Sequence, residues 1–106
     1  MYFICNLQTL VEREQREPRH LAAHLDWLRE AHHRGELGLS GPRPGHTDGH
    51  YIISADSREE AERIARSDPH TMAGYTRFEL IEWSIRRGSI VVAEAAQPLG
   101  AEPRSR

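Results

Sequence analysis

The chain contains no lysine. Its 14 basic residues are all arginine, set against 16 acidic ones for a formal net charge of −2. That balance offers no basic excess to a nucleic-acid backbone, so nucleic acid is not an expected partner. With no lysine and no glycine-rich run opening a helix, Gly41-Pro42 and Gly45 do not make a phosphate loop. The single cysteine, Cys5, rules out an internal disulfide and a cysteine-rich zinc site. It stands in an apolar strand pattern and reads as a small buried hydrophobe, with a reactive thiol as the alternative. No apolar run approaches the roughly 18 residues needed to span a bilayer, and no membrane partner is expected. Met1-Tyr2-Phe3-Ile4-Cys5 is apolar but too short for a secretory core, and no basic residue precedes it. A cytoplasmic location is the expectation.

What is present is the composition of one soluble globular domain: 106 residues, 38% hydrophobic and 28% charged. A chain of this size buries only about 60–65% of its unfolded surface, so oligomerisation would help it. Seven histidines are the compositional hint of chemistry, because histidine titrates near neutrality and ligates metals.

Tyr2 to Gln8 is apolar at first, with aromatic and branched residues, and reads as a central strand covered on both faces. Thr9 to Glu17 is charged and runs into Pro18, which suits the first turn of a helix. From Pro18 to His33 the spacing of Leu21, Leu25, Leu28 and His32 predicts a helix with those residues as its buried stripe. His24 lies roughly 60–70° from the middle of that stripe, neither core nor solvent, with Trp27 and Ala31 on the same flank. Gly35 closes the helix. Glu36 to Gly41 and His50 to Ala55 are two short strands. The loop Pro42 to Gly49 joins them as a hairpin.

Ser57 and Glu60 fit a capping box opening a second helix, with Ala61, Ile64 and Ala65 inward. Pro69 disfavours helical geometry at Asp68 and should end it. Gly74 ends the following turn. Tyr75 to Ile85 alternates as a long strand: Thr76, Phe78 and Leu80 on a face suited to helices, Arg77, Glu79, Ile81 and Trp83 on the other. Arg86-Arg87-Gly88 breaks the pattern. The domain is therefore set at residues 1–86 and a C-terminal extension at 87–106. Within the extension, Ser89 to Glu94 is an edge or swapped strand and the rest a mobile tail.

The order strand–helix–strand–strand–helix–strand is that of an α+β, ferredoxin-like βαββαβ domain with an antiparallel four-stranded sheet. Both helices then cover one sheet face. A symmetric partner is the simplest cover for the other, which predicts a homodimer.

Asp68 supplies a carboxylate where a helix must stop, and His24 an imidazole at the edge of a buried face. If the two meet, the carboxylate fixes the ring tautomer and makes the other nitrogen a proton acceptor or donor. The structural reading is a terminating aspartate and a satisfied border histidine. His20 precedes His24 by one helical turn, so the pair could hold a metal with a third ligand from Asp68, His70 or the His46–His50 loop. There is no His-Glu-x-x-His pattern, and a polar helix flank is the favoured reading, so no metal and no cofactor are expected. His70 beside Asp68, Trp27 and Arg77 are the further candidates for substrate contact, with His20. For Arg77 and Glu79, on the mixed strand face, the competing reading is a cross-strand ion pair. His32, His33, His46 and His50 read as structural. Tyr2, Tyr51 and Trp83 read as core or dimer-contact aromatics.

The chain resembles the YCII-related proteins over about residues 1–83. The resemblance rests on Met1-Tyr2-Phe3-Ile4, His24-Leu25-x-Trp27-Leu28, Ser40-Gly41-Pro42, Ala55-Asp56-Ser57-x-Glu59-Glu60-Ala61, Asp68-Pro69-x-x-x-x-Gly74 and the strand through Trp83. It implies a dimeric α+β barrel and a site holding a histidine of the first helix and the aspartate of the Asp-Pro turn, here His24 and Asp68. One member type is a dehydrochlorinase of a chlorinated hydroxyhydroquinone. The chain departs from the pattern at His70, where the family has Tyr or Phe, at His20, and in the longer segment after Arg86.

Two functions follow. One is a cofactor-free acid–base enzyme of lyase, dehydrohalogenase or isomerase type, with His24 moving a proton and Asp68 orienting it. The other is a non-catalytic ligand-binding or protein-interaction module using the same pocket or the sheet face.

Overall fold

The computed structural model describes residues 1–90. Its elements follow the chain as β1 (Tyr2–Thr9), a short 3-10 turn (Arg13–Gln15), α1 (Pro18–His33), β2 (Leu37–Pro42), β3 (Gly49–Ser54), α2 (Arg58–Arg66), α3 (Pro69–Met72) and β4 (Thr76–Trp83). The strands form one antiparallel sheet in the order β2-β3-β1-β4, with both long crossovers helical. This is the ferredoxin-like arrangement that the element order predicts.

Alternation along the strands sorts the side chains onto two unlike faces. Phe3, Cys5, Tyr51 and Ile53 point to the helices and are buried, packed with Ala31 of α1, Leu37 of β2, and Ala61, Ile64 and Ala65 of α2. Burial of each large member, such as Phe3, Ile53 or Ile64, contributes about 1.5–3 kcal/mol. The opposite face is open. Across it Leu39 pairs with Ile52, Ile52 with Ile4 and Ile4 with Ile81, while Tyr2 pairs with Trp83. Tyr2, Ile81 and Trp83 each keep over two-fifths of their surface exposed. Among the described residues the central strand β1 is therefore covered on one face, where its apolar sequence predicts cover on both.

The local signals explain most boundaries. Pro18 stands at the first turn of α1, and Gly35 follows its end at φ 79°, a left-handed position that favours glycine. Gly38 sits at a bulge, where the register shifts between Leu37 and Leu39. Gly49 is required by close approach, since a Cβ there would lie 2.5 Å from the carbonyl oxygen of Gly41. Ser57 caps α2 by accepting from the Glu60 N–H at 3.1 Å. The return half of the box is replaced, because the Glu60 carboxylate pairs with Arg63 at 2.7 Å.

Three expectations change. The inward stripe of α1 is not Leu21, Leu25, Leu28 and His32: Leu21 and Leu25 are half exposed, and His32 bonds Ser40 on the surface at 2.7 Å. The helix is turned so that His20, His24, Trp27 and Ala31 face inward with Leu28. Two polar ties hold that rotation, His24 to Asp68 and Trp27 Nε1–H to Ser67 Oγ at 2.8 Å. The second helix ends at Arg66, and Asp68 opens the short α3 rather than only closing α2. The last strand spans Thr76–Trp83, shorter at both ends than Tyr75 to Ile85. Ser89 and Ile90 lie in no strand, and the rest of the expected Ser89–Glu94 strand falls outside the described residues.

Candidate active site

Asp68 is the organising group. Pro69 holds it extended (φ −63°, ψ 123°) ahead of α3, and its side chain caps that turn by accepting from the His70 N–H at 2.9 Å. The carboxylate is 1% exposed. Oδ1 also accepts from His24 Nδ1–H at 2.8 Å, and Oδ2 accepts the Tyr51 hydroxyl at 2.5 Å. Burial pushes the Asp68 carboxyl up, but the hydrogen bond and charge of His24, the Tyr51 hydroxyl and the His70 N–H outweigh it. The carboxyl is held below the ordinary aspartate value and stays ionised. Burial first, and then the neighbouring Asp68 charge, pushes the Tyr51 hydroxyl well up, so it remains a donor.

This arrangement fixes the histidine. With Nδ1–H spent on Asp68, the lone pair of His24 is on Nε2. The His24 side chain keeps 17% of its surface exposed while its carboxylate partner keeps 1%, so the histidine reaches solvent and its anchor does not. His70 stacks on His24 with centroids 4.2 Å apart and planes within 10°. Burial, and next the neighbouring His24, push His70 down to about 4, so it is a neutral ring near pH 7. Trp27 lies parallel to His24 at 6.4 Å and tilted against Tyr51 at 5.5 Å. His20 Nδ1 meets the Tyr75 hydroxyl at 2.8 Å, and that hydroxyl also accepts the Glu17 N–H at 3.0 Å.

Of the residues singled out in the sequence, His24, Asp68, His70, His20 and Trp27 come together in this cluster. Arg77 does not. It lies on the open sheet face, where its guanidinium donates to Gln8 across the strands at 2.6 Å, a cross-strand hydrogen bond in place of an ion pair. His50 is also on that face, bonded to Asn6 at 2.8 Å. Tyr51, Tyr75 and Arg16 belong to the cluster and were not among the site candidates, Tyr51 having been read as a core or dimer-contact aromatic. For Tyr51 a signal existed: a tyrosine on an inward strand position needs a partner for its hydroxyl. Cys5 is buried and pushed up to about 12 by burial and then by Asp68, which leaves it an inert thiol.

Ligand atoms of His24, Asp68 and His70 lie within 4.8 Å of one another. Their disposition is that of a stack rather than a ligand shell. The two rings run in near-parallel planes instead of converging, both Asp68 oxygens are engaged, and His20 bonds Tyr75. Two surface clefts lie elsewhere: one of about 720 Å³ between the end of β1 and the β2–β3 loop, lined by Thr9, Arg43 and Asp48 among others, and one of about 400 Å³ on the open sheet face at Arg77. Neither brings together a buried carboxylate and an imidazole, as the cluster does.

Comparison with known proteins agrees with the fold. The YCII-related domain matches residues 1–84. The protein YjpA of Bacillus subtilis (strain 168) is 31% identical over 81 residues, covering 76% of this chain and 95% of YjpA. Among solved structures, 5-chloro-2-hydroxyhydroquinone dehydrochlorinase (TftG) of Burkholderia phenoliruptrix AC1100, in complex with 2,5-dihydroxybenzoquinone, superposes with a TM-score of 0.66 at 22% identity. That match covers 79% of this chain and 94% of the dehydrochlorinase. Muconolactone isomerase superposes with a TM-score of 0.69 at 13% identity, covering 90% of this chain and 100% of the isomerase. At those identities the two enzymes share the fold. The family match over residues 1–84 and the likeness to YjpA place this chain in the YCII-related domain family.

Proposed function

We propose that this chain is a cofactor-free acid–base enzyme of lyase, dehydrohalogenase or isomerase type acting on a small polar molecule. The observation that carries the reading is the buried Asp68 carboxylate 2.8 Å from His24 Nδ1, with its other acceptor positions filled by Tyr51 and the His70 N–H. A carboxylate so held orients the imidazole and stabilises the imidazolium formed when Nε2 takes a proton. In a dehydrohalogenation Nε2 removes the substrate proton, the electron pair it leaves forms the new double bond, and chloride departs with the C–Cl pair. In an isomerisation the same nitrogen returns the proton at another carbon. Fold-mates that are a dehydrochlorinase and an isomerase favour this class of reaction.

The same reading includes a homodimer. The apolar row Leu39, Ile52, Ile4 and Ile81, with Tyr2 and Trp83, lies uncovered on the sheet, and a second copy of the same face buries it symmetrically. We place the end of the folded domain at about residue 86, just beyond β4 and the end of the family match. We place the protein in the cytoplasm, where a lone buried thiol such as Cys5 is unexceptional.

The experiment is turnover. Purified protein is offered chlorinated hydroxyhydroquinones, read by chloride release, and muconolactone-type lactones, read by absorbance. The expected result is conversion by the wild type and none by a folded His24→Ala variant. Tight binding without conversion of any of these compounds would instead mark a non-catalytic ligand-binding module.

A further inference from the structure

Among the described residues two buried side-chain polar atoms have no hydrogen-bond partner: Nη2 of Arg16 and Nε2 of His70. An unpaired buried donor or acceptor is costly, so two in one neighbourhood call for a common explanation. Both belong to side chains packed on one ring. Arg16 Cζ lies 5.5 Å from the centroid of Tyr75, and the His70 ring 5.8 Å from the same centroid. His20 closes a third side, edge-on at 5.2 Å.

Arg16 is held, not free to swing. Its Nε–H donates to the Val11 carbonyl at 2.7 Å, which leaves the outer nitrogens of the fork to other work. No carboxylate of the described residues comes within ion-pair distance of it. The one buried carboxylate nearby, Asp68, already accepts from His24, Tyr51 and the His70 N–H and makes no ion pair with Arg16. A guanidinium only donates, so the atom it waits for is an acceptor. Glu12 and Asp68 act on it only from beyond ion-pair distance, so the best direct acceptor for a cationic donor is an anionic oxygen.

We propose that Arg16 and His70 form the anion-binding end of the site, over the Tyr75 ring, and that the ligand is a conjugated acid presenting an ionised oxygen (phenolate, enolate or carboxylate) to Arg16 Nη2 and His70 Nε2. His70 is the residue that stacks on His24, so the anionic oxygen is anchored one ring away from the nitrogen that moves the proton. His70 serves as its Nε2–H tautomer, donating without adding a second positive charge. Its low basicity, set first by burial and next by His24, agrees with that role. The inference rests on the cluster being a small-molecule site and names the class of molecule.

The test is a binding titration at about pH 7 with two probes: 2,5-dihydroxybenzoquinone, which is ionised there, and its uncharged dimethyl ether, 2,5-dimethoxybenzoquinone. The wild type should prefer the ionised probe by at least about tenfold, as a charge-assisted contact implies. Arg16→Gln should lose about tenfold on the ionised probe, hold the neutral one within about twofold, and melt with the wild type; Arg16→Lys, which keeps the charge, should recover part of the loss. His70→Phe keeps the ring on His24 and removes Nε2, and should weaken the ionised probe about threefold, the size of one ordinary hydrogen bond. His24→Gln should keep the preference. A wild type that binds both probes alike, or neither, overturns the proposal, as does an Arg16→Gln protein that binds the ionised probe like the wild type. Unchanged affinity in His70→Phe removes His70 from the subsite. A His24→Gln enzyme that still turned over would sink the acid–base reading while leaving this preference standing, so the two failures are distinct.

Discussion

The Tyr51 hydroxyl donates to Oδ2 of Asp68 at 2.5 Å, from the middle of β3 to the head of α3. That contact joins the sheet to the carboxylate that His24 leans on, so the sheet core and the candidate site share a residue.

Removing that hydroxyl should cost both stability and chemistry. Tyr51→Phe leaves a buried carboxylate oxygen without a donor, a loss of about 1–3 kcal/mol in urea or thermal unfolding. It also removes one of the bonds that keep Asp68 below its ordinary value. The expected kinetic signature is a fall in kcat of about tenfold with KM little changed, because Asp68 acts through His24 rather than on substrate. A variant as stable as the wild type would show that the hydroxyl is not needed to satisfy Asp68.

Acid should weaken the fold through His70. Its pKa is about 4 in the folded chain against 6.5 for an unperturbed histidine. Its contribution to stability is therefore complete above about pH 6.5 and is lost as the pH falls from there through about 4, on the order of 1–3 kcal/mol. His24, Asp68, Arg16 and His20 act on the same ring and are common to the wild type and His70→Phe. Unfolding free energies at about pH 7 and about pH 4.5 should therefore show a smaller acid loss in His70→Phe than in the wild type. Equal losses in the two proteins would remove His70 as the cause.

The open sheet face should carry the dimer. Ile81 is 44% exposed in the single chain, so Ile81→Arg should fold normally. Placed at the end of the Leu39–Ile52–Ile4–Ile81 row, the charge should be buried without a partner if two copies meet there. Sedimentation velocity is expected to give a dimer for the wild type and a monomer for the variant. A monomeric wild type at about micromolar concentration, where a standard interface of roughly 1,600 Å² would hold, contradicts the dimer.

Much of this was legible in the sequence for physical reasons that can be named. Pro18 and Gly35 mark the ends of α1 because one lacks an N–H where none is needed and the other tolerates a left-handed φ. The alternation in Thr76–Trp83 separates helix-facing from open residues because the period of a strand is two. The rotation of α1 was not legible. Leu21-Leu25-Leu28 and His20-His24-Trp27-Ala31 are adjacent stripes of the same helix, and hydrophobicity favours the first. The polar ties to Asp68 and Ser67, which are 44 and 40 residues away, select the second. Arg16 was hidden for a related reason, since nothing local separates it from the other charged residues between Thr9 and Glu17.

The central claim is that Asp68 acts through His24. It is tested most directly by kcat/KM for wild type, His24→Gln, Asp68→Asn and the double variant, each with its melting temperature, on whichever substrate the wild type converts. The account predicts that each single change lowers the rate by roughly 10²–10⁴ and that the double variant is scarcely worse than His24→Gln, because the two residues work as a unit. Losses that multiply in the double variant, or a folded His24→Gln protein with undiminished turnover, would contradict it.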